Sequence, residues 1–141
     1  MDTKTVLKLT QKGATRVMQA VLDEAHKRKK EISVAVVDAG GHLIVFARTD
    51  DAELTTITIA EHKARCAAFT GMPTGKLSRS GNERSDFHAL AITLAAGVDR
   101  MVTMQGGVPL MVNGQLVGGV AVSGAGHSDG EIAQVGASLL A

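Results

Sequence analysis

The strongest constraint in this sequence is how its charges stop. All 15 Lys and Arg residues lie at or before Arg100, and beyond it only Asp129 and Glu131 are charged. Ten of the 16 glycines fall in the same part of the chain, from Gly97 onward. A segment this poor in charge and rich in glycine reads as the inside of a fold, or as a surface that something covers. The preceding hundred residues read as an ordinary amphipathic surface.

Length and composition narrow the class. A chain of 141 residues, 45% hydrophobic and 21% charged, suits one globular domain spanning residues 1–141. No apolar run approaches the roughly 18 residues of a membrane helix, and Met1–Thr10 lacks the apolar core of a signal peptide. One cysteine, Cys66, cannot staple the fold and points to a reducing compartment, so a cytoplasmic protein without membrane partners is expected. A net charge of +1, three Phe and no Trp or Tyr argue against nucleic-acid binding, which needs a basic field and stacking rings.

Periodicity places the elements. Thr10 caps a first helix whose Ala14, Val17, Met18, Val21, Leu22 and Ala25 share one face, ending at Lys27–Lys30. Ile32–Val37 and Leu43–Arg48 form a hairpin around Asp38–Gly41. Asp50 and Asp51 open an alanine-lined helix that stops near Gly71. Residues 72–84 are a polar loop, and Asp86–Ala96 a short helix with Phe87, Leu90, Ala91 and Leu94 turned inward. Arg100–Met104 reads as a strand, followed by a hairpin, Val108–Val112 and Gln115–Ser123, turning at Asn113-Gly114. Ser128 and Glu131 match a capping box for a last helix along Ile132, Val135, Gly136 and Leu139. The expectation is a single α/β sandwich on about five antiparallel strands.

Two phosphate-loop look-alikes fail. Gly124-Ala125-Gly126 with Gly130 has the wrong spacing for a dinucleotide fingerprint and too little chain after it. Gly71–Lys76 is one residue short of a Walker loop, with Leu77 in place of the magnesium-binding hydroxyl. An anion on the N-terminus of the last helix stays open. His62 and Cys66, four apart, share a helical face and could bind a metal or form a nucleophile; spacing alone favours a buried thiol filler beside a surface histidine. His26, His42, His88 and His127 match no zinc pattern. The pairs Gly106-Gly107, before Pro109, and Gly118-Gly119 mark a close backbone approach or a ligand contact, with nothing to separate the two.

As an ordered set, VAVVDAGGHLIVFARTDDA (34–52), IAEHKARCAAFTG (59–71), PT (73–74) and QGGVPLMVNGQLVGGVAVSGAGHSDGEIA (105–133) resemble the GlcG/HbpS-like, haem-degrading-domain family (DUF336), which includes the C-terminal domain of PduO-type proteins. The resemblance implies a profilin-like α/β/α sandwich with a five-stranded antiparallel sheet. It also implies a homo-oligomer, tetramer or octamer, with pockets near subunit interfaces and neighbouring subunits covering part of the charge-poor tail. Lys63 falls on the family's characteristic lysine, and Cys66 where relatives commonly carry threonine near a bound haem. Gly106, Gly107 and Pro109 match GG-x-P; Gly124 and Asp129 match the segment after it. The expected function is small-ligand binding, with haem or a related tetrapyrrole as cofactor, linked to glycolate, glycerol or diol metabolism. The expected pocket is built from His62, Lys63, Cys66, Gly106, Gly107 and Pro109, with Cys66 as the metal ligand. Alternatives are an isomerase or lyase acting on a hydroxy- or keto-acid, and a non-catalytic accessory subunit of a glycerol or diol pathway.

Overall fold

The computed structural model describes residues 1–140. Its elements are α1 (Gln11–Lys27), β1 (Ser33–Asp38), β2 (Leu43–Arg48), α2 (Thr55–Thr70), α3 (Asp86–Ala96), β3 (Gly107–Val112), β4 (Gln115–Ser123) and α4 (Asp129–Ala137). The strands form one antiparallel sheet in the order β2-β1-β4-β3. Helices α1 and α4 cover one face and α2 the other.

Local sequence explains most boundaries. The Thr10 hydroxyl accepts the Gly13 N–H at 3.0 Å and starts α1. Gly71, at φ +67°, closes α2 in a left-handed cap. Asn113 and Gly114 take φ +50° and +74°, as a two-residue hairpin turn requires.

The period of two along the strands sorts the core into two unlike layers. Val34, Val36, Leu110, Val120 and Val122 meet Val17 and Val21 of α1 and Ile132 of α4. On the opposite face Ala35, Val37 and Ala121 meet Ala60, Ala64 and Ala68 of α2. Here the glycine pairs show their use. A Cβ on Gly119 would lie 2.4 Å from the Ala64 carbonyl oxygen, and one on Gly107 2.5 Å from that of Lys63. The α2 backbone rests on the sheet where side chains are missing. Pro109 sits on the edge strand β3, where its missing N–H breaks no ladder.

Four expectations change. The sheet has four strands, because Arg100–Met104 forms none: Met101 and Val102 turn onto the flank of α2 and bury Cys66. The second helix begins at Thr55, after a short irregular stretch following Asp50-Asp51. The Ser128–Glu131 capping box does not form: Ser128 makes no side-chain cap, and Glu131 pairs with Arg28 across the α1–α4 junction at 2.7 Å. In α3 the apolar stripe is real but faces outward, with Phe87 83%, Leu90 60% and Leu94 65% exposed. The charge-poor tail is hidden chiefly by this chain's own helices, since seven consecutive β4 residues, Val117–Ser123, are buried.

Candidate functional site

The alanine layer pulls α2 close to the sheet and leaves the helix flanks to carry chemistry. His62 stands on one flank and Lys63 points beneath the helix. Lys63 is 3% exposed; its ammonium donates to the Val122 carbonyl at 3.1 Å and to Asp129 Oδ2 at 3.0 Å. The other Asp129 oxygen, Oδ1, accepts the Ala125 N–H at 2.7 Å. A Cβ on Gly106 would come within 2.8 Å of Lys63 Nζ and 2.6 Å of the Val122 oxygen. Lys63, Gly106 and Asp129 thus form one buried clasp between α2, the sheet and α4. Removing either charge would leave the other stranded in low dielectric.

Cys66 is 1% exposed. Its thiol donates to the Val102 carbonyl at 3.4 Å and lies 3.8 Å from Met101 Sδ. Burial pushes the thiol pKa up, against a smaller lowering by the Arg84 charge. A protonated thiol sealed under Met101 and Val102 is a poor metal ligand and a poor nucleophile.

The expected six-residue pocket is therefore not one cavity. Gly106 and Gly107 face the α2 backbone and the Lys63 side chain, Thr74 donates its N–H to the Gly107 carbonyl, and its hydroxyl accepts the Gly107 N–H. These are packing positions, as is Pro109 on its edge strand. The N-terminus of α4 is also occupied from within: Gln105 Oε1 accepts the Gly130 N–H at 2.8 Å, and Gln105 Nε2 donates to the Gly126 carbonyl at 2.7 Å. That arrangement fills the place left open for an anion.

His62 is different. The other four histidines are exposed; His62 alone is half-buried. Its ring lines an apolar cleft of about 360 Å³ between α2, α3 and residues 98–104, with Ile59, Leu90, Val98, Met101 and Met104 among the walls. Its lining also carries Lys76 and Asp86, which pair with each other, and the hydroxyls of Thr93 and Thr103. Asp86 holds the Lys76 ammonium above its ordinary range, and Lys76 holds the Asp86 carboxyl below its own.

Sequence reasoning picked out His62 but missed the walls. They come from positions as far apart as Ile59 and Met104, brought together because residues 98–104 lie outside the sheet. It also missed the partner of Lys63. One signal was available: an acid standing almost alone in a charge-poor tail calls for a buried counter-ion, and Asp129 is one of two such acids.

The architecture is that of a three-layer α/β/α protein with a ligand-sized cleft on its alanine-lined helix. The chain belongs to the HbpS-like family, described as haem degrading protein HbpS-like, whose model matches residues 9–138. Protein GlcG of Escherichia coli is 34% identical over 120 residues, covering 85% of this chain and 84% of GlcG. The crystal structure of a double mutant of Streptomyces reticuli HbpS superposes with a TM-score of 0.82 at 31% identity, covering 99% of this chain and 92% of that one. The crystal structure of a PduOC:haem complex gives 0.79 at 28% identity, covering 94% of each chain. Among the described residues no helix is long and apolar enough to cross a membrane.

Proposed function

We propose that this chain is a cytoplasmic, homo-oligomeric small-ligand-binding protein whose ligand is haem or a related tetrapyrrole, held in the α2–α3 cleft. The observation that carries the reading is the His62 ring, half-buried in an apolar cleft. The donor set suits the group: an imidazole nitrogen for the iron, the thioether of Met104 beside it, and hydrocarbon walls for the macrocycle. The Lys76 ammonium in the lining suits a propionate, in competition with Asp86. Bound there, haem would supply a redox-active iron; the chain's own part is to exclude water and offer the nitrogen. Support from relatives is the haem named in the PduOC complex and in the family description. Cys66, expected as the metal ligand, is replaced in that role by its neighbour one turn away.

Titration of the purified chain with hemin tests this. A saturable Soret shift is expected, lost in His62→Ala and retained in Cys66→Ala. No saturable shift, or one indifferent to His62→Ala, overturns it.

Self-association rests on the outward stripe of α3. Phe87, Leu90 and Leu94 follow one another at three- and four-residue spacing and extend to the exposed Val98. Such a contiguous apolar face is characteristic of a subunit contact. Light scattering is expected to show an oligomer that Phe87→Glu, outside the cleft, weakens; a stable monomer of the parent chain sinks the idea.

A further inference from the structure

We propose a second ligand site on the other flank of α2, for a small organic oxyanion, carboxylate or phosphate, with a flat apolar body. A cavity of about 470 Å³ lies between the β1–β2 turn, α2 and residues 99–100, lined by His42, Arg65, Phe69, Asp99 and Arg100. It shares none of its lining residues with the His62 cleft.

The site draws on three separate parts of the chain. Glu61, Arg65 and Phe69 recur every four residues along α2, which puts them on one flank. Arg65 Nε donates to the Asp99 carbonyl at 2.9 Å, and one terminal nitrogen lies 3.9 Å from Glu61. That anchor sets the guanidinium plane and ties residue 99 to the helix. The neighbouring Arg100 makes no ion pair among the described residues. Its guanidinium lies over the Phe69 ring, 5.8 Å from the centroid.

From the opposite side comes His42. Asp38 Oδ1 accepts the N–H groups of Gly40 and His42, each at 2.9 Å, and stands 3.2 Å from His42 Nδ1. Burial raises the Asp38 pKa, but these bonds and the nearby imidazole outweigh it and hold the carboxyl below its ordinary range. An ionised Asp38 fixes the imidazole by Nδ1, leaving Nε2 as its free polar edge. The turn needs glycine at Gly41 for its φ of +85°, and its backbone lies against Arg65, whose Cγ a Cβ there would touch at an ordinary 3.4 Å.

The recognition chemistry follows. Guanidinium forks match the paired oxygens of carboxylates and phosphates. An aromatic ring 63% exposed offers an apolar plane for the rest of the molecule. Among the described residues Asp99 is the one carboxylate lining the cavity, against two guanidiniums and an imidazole. It opposes an anion and so supplies a variant of predicted sign.

Calorimetric titration of the full chain with phenyl phosphate, benzoate and inorganic phosphate tests the proposal. Saturable binding of one aromatic anion, tighter than inorganic phosphate, is expected. Arg100→Gln should weaken it at least about tenfold, the scale of one charge-assisted pair. Asp99→Asn should strengthen it, and Phe69→Ala should erase the preference for the aromatic anion. Whichever aromatic anion binds tighter assigns the oxyanion as phosphate or carboxylate. No saturable binding at millimolar concentration, or an affinity unmoved by Arg100→Gln, overturns it. Among the described residues the Arg100 side chain makes no ion pair and lies over Phe69, so Arg100→Gln is expected to leave the fold intact, checked by an unchanged melting temperature.

Discussion

The two faces of the sheet solve the same burial problem with opposite means. The α1–α4 face fills its layer with branched side chains: Val17, Val21, Val34, Val36 and Ile132 are fully buried. The α2 face uses alanine and glycine, and brings backbone against backbone. The first layer is stabilised mainly by apolar area removed from water. The second buries less area and gains close contact, and its Lys63 reaches past the sheet to a buried ion pair with Asp129 at the start of α4. The difference matters for function. A helix held by its backbone has its flanks free, and both cavities discussed above lie on the flanks of α2.

The largest expected effect comes from the clasp. Asp129→Ala leaves the Lys63 ammonium buried without its counter-ion and should cost about 3–5 kcal/mol in urea unfolding. The pair Lys63→Met with Asp129→Leu should recover much of this. If it does not, the clasp is specifying the fold rather than repairing a charge. Next is a direct contrast between the faces. Ile132→Ala should cost about 2–5 kcal/mol by opening a cavity. Ala64→Val, which adds bulk, should cost about 1–3 kcal/mol by overpacking. A neutral Ala64→Val would show slack in the α2 layer and break the comparison.

The smallest effect concerns pH. The Cys66 thiol is pushed up by burial, so the native state favours the neutral form. Its contribution is fully present below the unfolded thiol's ordinary range and is lost as pH rises through the higher native value. Urea midpoints should therefore fall on the alkaline side in the parent chain and fall less in Cys66→Ala. Equal slopes would mean the thiol is not sealed.

Local features of the sequence carried over well. The Thr10 cap, the Asn113-Gly114 turn, the bounds of α3 and the Gly71 stop depend on a few adjacent residues, and each stands as read. What failed depended on distant partners. The apolar run at 101–104 has strand composition, but its neighbour is the Cys66 flank of α2 rather than a sheet edge. Periodicity found the stripe of α3 without saying which way it turned. His62 was legible as a candidate because of its spacing. The burial of Lys63 was not: it was read as a ligand-pocket residue, because its partner Asp129 stands 66 positions further along the chain. The glycine pairs were legible as close approaches, and only the position of α2 over them decided what approached.

The strand order has a consequence in time. β1 lies in the middle of the sheet, yet one of its neighbours, β4, begins at Gln115, long after β2 has closed the first hairpin. During synthesis the first hairpin stands with one edge of β1 unpaired until β4 arrives, although α1 and α2 are already there to cover its faces. Refolding is expected to be slow for a chain of this size, because the central pairing closes a long loop before it is rewarded, which stopped-flow refolding would check. A chain stalled before Gln115 keeps every charge but Asp129 and Glu131, so the fragment is well solvated while it waits. The asymmetry that marks the finished sequence also protects the unfinished one.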